Sequence, residues 1–346
     1  MAQNLKDKLL GAVLHWPPTP PRNKVDTHHH FVPDFYAKAV GKAGGDPSGW
    51  PTPTWSSKSS LQLMDRLGTR TAILSVTAPG ACIAASGPES ADLARRLNLE
   101  GARIRDGNPA RFGFFASLPD VLDTTAALKE LRYALDDLGA HGVTLYTRYG
   151  RSNTYLGNPA IEPIWAELNR RKCVVFIHPT HPVDTSPVNK RMPQPMIDYP
   201  HETSRTAMDM IMMGTLNKYR DCKVILSHAG GTLPYVISRI ATPLSKTPDL
   251  AAKAAIGVTH DTVMDNFRSF YFDLALSSSP AVLNMLLELV PHGHILYGSD
   301  FPYAPLPAYP AFLEQLETFQ MDRELREKIN FRNAQTLFPG LGRSSI

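Results

Sequence analysis

Cysteine is scarce in this 346-residue chain: Cys82, Cys173 and Cys222 are odd in number, far apart, and part of no CxxC pair or Cys/His knuckle. That excludes a disulfide framework and a thiolate zinc finger, and reads as reduced core thiols of a cytoplasmic protein. Long hydrophobic runs are missing as well, since no stretch approaches the roughly 20 apolar residues of a membrane span. The run 9–14 is short, follows Asp7 and leads into Pro17-Pro18-Thr19-Pro20-Pro21, with no small-residue cleavage site. Residues 1–24 are therefore expected to form an N-terminal arm, not a signal sequence. Charge of one sign is not in excess: 36 Lys and Arg face 32 Asp and Glu, and no basic cluster is interleaved with aromatics. A nucleic-acid partner is not indicated. No glycine-rich phosphate loop follows an apolar segment, which argues against a nucleotide-binding doubly wound sheet. Internal repeats and low-complexity segments are absent.

What is present is an alternation. Apolar segments at 25–30, 71–76, 112–116, 142–146, 173–178, 223–228, 270–275 and 294–299 are separated by amphipathic stretches such as 91–107, 120–139, 159–171 and 280–290. The strands are nearly continuous apolar runs, as parallel strands covered on both faces are. Eight of them with intervening helices predict a (β/α)8 TIM barrel occupying residues 25–340 as a single catalytic domain. Two stretches break the rhythm. Residues 43–58 are rich in Gly, Pro, Trp and Ser, and residues 179–201 carry prolines at 179, 182, 187, 193, 195 and 200. The prolines predict no regular helix in 179–201. Both stretches leave strand C-termini, after strands one and five, where barrels place their chemistry, and are candidate lids.

The chemistry is concentrated at those strand ends. In Asp26-Thr27-His28-His29-His30, strand alternation points His28 and His30 to one side and His29 to the other. Strand five ends in His178, strand six in His228, and Asp300 follows strand eight. In a closed barrel these positions converge at the mouth. Three neutral imidazoles and a carboxylate suit one borderline divalent ion, zinc before manganese or iron. His28, His30, His178 and Asp300 fit that set with a position left open, and His228 stays free for acid–base work. Strand four reads Val143-Thr144-Leu145-Tyr146 and then Thr147-Arg148, with no lysine to bridge a second metal.

DxHxH in strand one, His178, SHAGGTLP at 227–234, YGSDFP at 297–302 and Asn333-Ala334-Gln335-Thr336-Leu337-Phe338 together resemble the amidohydrolase superfamily. More narrowly they resemble its metal-dependent, non-oxidative decarboxylases of the aminocarboxymuconate-semialdehyde and hydroxybenzoate kind. Within that group the segment 178–205 is most similar to the 6-methylsalicylate decarboxylases. The resemblance implies loss of CO2 from an ortho-hydroxybenzoate, 6-methylsalicylate to m-cresol, in a homodimer. It implies His28, His30, His178 and Asp300 as metal ligands and His228 as the catalytic histidine. Asp300 is expected to donate the proton to the ring carbon with His228 as its partner, the reverse assignment staying open. It also suggests Glu202 as a group orienting His228, and Arg239 as one reaching a substrate carboxylate across a subunit interface. Two departures stand out: several relatives have Glu in place of His28 and another Glu where this chain has Gly231. A lactone or amide hydrolase on the same barrel is the alternative activity, and a non-catalytic metal-holding barrel the third reading. Arg66, Arg148, His181 and His201 are lesser polar candidates.

Overall fold

The computed structural model describes residues 16–84, 87–246 and 257–341. Apart from a small antiparallel hairpin (Arg148–Tyr149 with Thr154–Tyr155), the strands of the described residues, numbered along the chain, are β1 Lys24–His30, β2 Thr69–Ser75, β3 Phe112–Phe114, β4 Val143–Tyr146, β5 Val174–His178, β6 Lys223–Leu226, β7 Tyr271–Asp273 and β8 Ile295–Leu296. They pair in parallel as β1-β2-β3 and as β4-β5-β6-β7-β8. Backbone hydrogen bonds join the two sheets at both seams. Ala116 N donates to Gly142 O (2.8 Å) and Thr144 N to Ala116 O (2.9 Å), carrying β3 onto β4. Thr27 N donates to Tyr297 O (3.0 Å) and Asp300 N to His28 O (2.8 Å), carrying β1 onto the chain beyond β8. The ring is that of the expected (β/α)8 barrel.

Alternate positions of the strands fill the barrel. Val25, Ile73, Phe115, Val174, Phe176, Ile225 and Leu296 form one buried cluster, closed from below by Ala334 and Phe338 of the C-terminal helix Asn333–Leu337 and the residue after it. Phe176 stacks on Phe115, with ring centroids 5.4 Å apart, and meets His28 edge-on at 4.9 Å. Phe176 is thus the floor of the site, and His178, two residues on, rises from the same face of β5. Helices form where the amphipathic stretches lie, at Gly87–Gly107, Thr124–Asp136, Glu162–Arg170 and Pro280–Leu289. The last is set up by Ser279, whose hydroxyl caps Val282 N, and by Pro280 at the first helical position.

The structure corrects three boundaries. The loop 43–56 follows β1 only after the helix Asp34–Lys42, and Ser56 then caps the helix Ser57–Leu67 through a reciprocal bond with Ser59. Regular helix does form within 179–201, because Asp198–Met212 begins there and runs through Pro200. Pro200 lies in the first turn, where amides have no intrahelical acceptor, so its missing N–H costs nothing. Finally, β6 ends at Leu226 and His228 lies beyond it in a left-handed turn, with φ of 54° at His228 and 57° at Ala229. Of the expected arm, residues 1–15 lie outside the described residues. Trp16 lies over the Arg66 guanidinium, and Lys24 already belongs to β1. Among the described residues no helix is long and apolar enough to cross a membrane.

Candidate metal centre and catalytic cavity

His28, His30, His178 and Asp300 are buried together, each offering a ligand atom within 4.8 Å of the others. Their outer nitrogens are already committed. His28 Nδ1 is 3.0 Å from Asp273 Oδ2, His30 Nδ1 is 2.9 Å from Ser75 Oγ, and His178 Nδ1 is 2.8 Å from Pro179 O. Proton donation by Nδ1 to these oxygens turns Nε2 of each ring toward the centre of the cluster. His28 Nε2 and His30 Nε2 stand 3.1 Å apart, and Asp300 Oδ1 lies 3.2 and 3.1 Å from them. That oxygen is buried and has no aligned hydrogen bond. Ring nitrogens and a carboxylate oxygen crowded around one point fit a divalent cation, and the nitrogen-rich set suits a borderline one.

The electrostatics follow from burial and from the two carboxylates. At His28 burial opposes a charge, but Asp273 and Asp300 outweigh it and raise the pKa to about 10. Burial and the neighbouring imidazoles hold His178 well below its ordinary value, and burial lowers His30 against the pull of Asp300. For Asp300 burial would favour the neutral acid, yet His28, His228 and His30 reverse this and push its pKa well below the usual carboxylate range. Asp300 is therefore an anion among imidazoles, the state a cation binds.

His228 approaches from the opposite side, with Nε2 3.3 Å from Asp300 Oδ2. Its Nδ1 has no hydrogen-bond partner. The turn that aims it needs glycine downstream. At Gly231, with φ of 63°, a Cβ would fall 2.1 Å from Pro200 O of the helix Asp198–Met212. A side chain at this position therefore has no room.

Above the cluster opens a cavity of about 360 Å³. His178, His228 and Asp300 lie at its base; Trp50, Pro195, Met196, Leu276, Pro305 and Phe312 form apolar walls, with Asp46, Tyr199 and Tyr303 among the polar lining. No lysine or arginine is among the described residues that line it. Both irregular stretches contribute, and they are tied together by Gln194 N donating to Ser48 O at 3.2 Å.

The remaining candidates lie elsewhere. Glu202 is buried behind the cavity wall and accepts from Tyr155 Oη at 3.1 Å, making no bond to His228. Arg239 is exposed on the helix Leu233–Lys246 and does not line the cavity of its own chain. Arg148 donates to the carbonyls of His181, Gly150 and Pro182 and so staples the β5 loop. His201 Nδ1 is 3.3 Å from Thr232 Oγ1. His29 points away from the cluster, as alternation predicts, bonding Asp26 Oδ2 (3.0 Å) and Ser60 Oγ (2.9 Å). Sequence reasoning missed Ser75 and Asp273; an aspartate inside the apolar strand segment Tyr271-Phe272-Asp273-Leu274 was the available signal for the second.

A parallel barrel carrying this histidine and aspartate cluster at its mouth is the architecture of the amidohydrolases. The amidohydrolase family profile matches residues 25–340, and the chain belongs to that family. It is 50% identical over 325 residues to a 6-methylsalicylic acid decarboxylase of Aspergillus aculeatus, covering 93% of this chain and 97% of that one. To a 6-methylsalicylic acid decarboxylase of Penicillium expansum it is 49% identical over 318 residues, covering 92% and 97%. The resemblance read from the motifs is borne out at both levels. A crystal structure of 5-carboxyvanillate decarboxylase from Novosphingobium aromaticivorans, complexed with manganese and a nitrobenzoic acid, matches with a TM-score of 0.78. It is 17% identical, covering 95% of this chain and 97% of that one, a likeness of fold.

Proposed function

We propose that this chain is a metal-dependent, non-oxidative decarboxylase of an ortho-hydroxybenzoate, converting 6-methylsalicylate to m-cresol and CO2. The observation that carries the reading is the cavity itself: a four-donor cluster at its base, aromatic and aliphatic walls, and no lysine or arginine among the described residues that line it. A benzoate entering it finds no arginine of the same chain among the described lining residues. The names of the two half-identical relatives specify the ring. His28, His30, His178 and Asp300 would hold a divalent ion, which would supply Lewis-acid withdrawal of charge from the substrate. Zinc suits the imidazole-rich set; manganese is the ion in the carboxyvanillate enzyme.

The chain's own residues then orient the ring and move one proton. The apolar walls exclude water from the ring face and fix its plane. Asp300 and His228 face each other at 3.3 Å as the proton-relay pair, and the imidazoles around Asp300 keep its carboxylate ionised. A proton passes through the pair to the ring carbon bearing the carboxylate. The C–C bond then breaks, its electrons restore the aromatic ring, and CO2 leaves. Arg239, exposed on its helix, would meet a substrate carboxylate only in the cavity of a second copy, which makes a homodimer part of this reading. The free cysteines suit the reducing cytoplasm. The test is direct: purified protein is assayed for bound metal and for CO2 release from 6-methylsalicylate, with lactones as controls. Metal-loaded protein that releases no CO2 from any ortho-hydroxybenzoate would sink the proposal.

A further inference from the structure

One buried group beside the cluster has no part in the chemistry above. Asp273 ends β7 with no exposed surface, and both of its oxygens are engaged. Oδ2 faces His28 Nδ1 at 3.0 Å, while Oδ1 accepts the amides of His228 at 3.1 Å and Ala275 at 3.0 Å. No lysine or arginine forms an ion pair with it among the described residues, so its charge is met by one imidazole and two amides. A carboxylate buried in that way is costly unless it is put to use.

We propose that Asp273 is a shared positioning residue: one oxygen fixes the tautomer of His28 and the other anchors the backbone turn that aims His228. The first arm follows from the imidazole. With its Nδ1 proton held by Asp273, His28 directs Nε2 toward His30 and Asp300, the nitrogen left to bind once a cation displaces its proton, and the nearby anion makes it a better ligand. The second arm follows from the backbone. His228 and Ala229 both have positive φ, a conformation side chains adopt only when the surroundings enforce it. The bond from His228 N is an enforcing contact, and the ring cannot be held through Nδ1, which has no partner. Cation binding and proton delivery are thereby coupled through one side chain that touches neither ion nor substrate.

The inference rests on the proposed roles of His28 and His228, and its test is separable from them. Asp273→Asn keeps an oxygen for the two amides but turns an NH2 toward His28, whose proton must shift to Nε2, where the cation belongs. Competition with a chromophoric chelator should show zinc affinity lowered about 10- to 100-fold. Unchanged zinc affinity overturns the first arm. At saturating zinc, Asp273→Asn should lower kcat in the wild-type background and much less in His228→Asn; equal losses in both backgrounds overturn the second. Should Asp273→Asn not fold, imidazole 15N spectra of the zinc-loaded wild type decide the matter. They should show a His28 Nδ1–H slow to exchange, and a His28 proton on Nε2 rules the proposal out. Wild-type protein that binds zinc and releases no CO2 would remove the decarboxylase reading and leave the His28 arm standing.

Discussion

Three adjacent histidines in β1 do two different jobs, and substitution should separate them. His28→Ala removes a ligand atom and Asp300→Asn removes the negative charge of the cluster, and both are expected to abolish CO2 release with loss of bound metal by elemental analysis. His228→Asn leaves the ligand set intact and should lower kcat by about 10²- to 10⁴-fold while the metal stays bound. His29→Phe acts differently again. It strips buried Asp26 Oδ2 and Ser60 Oγ of a partner, so unfolding free energy should fall by about 1–3 kcal/mol at unchanged metal content. An urea titration beside the metal assay distinguishes the two patterns. Alternation along a strand is enough to foresee this division, since it needs no neighbour. The partners of the outer nitrogens were not foreseeable: Ser75 lies 45 positions from His30 and Asp273 lies 245 from His28.

At the scale of elements, the site depends on how turns and insertions seat against the barrel. The turn after β6 is packed against the first turn of Asp198–Met212, with Thr232 N donating to Pro200 O at 3.2 Å. Gly231→Ala would put a Cβ into that carbonyl and place a non-glycine residue at positive φ. The backbone conformation alone is worth about 1–3 kcal/mol. A lowered melting temperature together with lower kcat is the expected result, and wild-type values of both would refute this account of the turn. The proline-rich stretch shows where sequence reading overreached. Proline forbids a helix interior but is tolerated in a first turn, and only the position of the helix start, set by packing, says which applies to Pro200. Strand lengths were overestimated at β6 and β8 for a related reason. Beyond Leu226 and Leu296 regular pairing gives way to isolated backbone bonds, and side chains such as Asp26, which accepts Ser299 N at 3.0 Å, supply some of the partners.

For the molecule as a whole, two expectations follow. Within one chain no lysine or arginine is among the described residues lining the cavity, so a carboxylate alone is poorly held and its ortho oxygen matters. Benzoates without the ortho-hydroxyl should inhibit at least about tenfold more weakly than salicylates, a difference of roughly 1.4 kcal/mol. Ring dicarboxylates should also be poor ligands because Asp46 faces the same space. The second expectation concerns acid. Burial, with Arg105 adding repulsion, lowers His141 to about 4, and burial with Arg148 does the same to His181. An unfolded histidine titrates near 6.5. Between these values the unfolded chain takes up protons the folded one refuses, so stability is intact above pH 6.5 and falls as the pH approaches 4. His28, raised to about 10, acts in the other sense and only above pH 6.5, where its contribution is lost. Urea midpoints of the metal-free protein should therefore fall from pH 6.5 to 4.5, and His141→Gln should flatten the slope.

The sequence by itself determined the barrel, the family, the convergence of His28, His30, His178, His228 and Asp300, and the absence of a bridging lysine. These follow from local rules: strand period, strand ends and residue type need no knowledge of what lies opposite. Only the tertiary structure decided that Asp300 Oδ1 faces two imidazole nitrogens without an aligned hydrogen bond, that Glu202 turns to Tyr155 instead of His228, and that Arg239 stays outside its own cavity. Those outcomes depend on distances between positions far apart in the chain, which closure of the ring sets and no local pattern encodes.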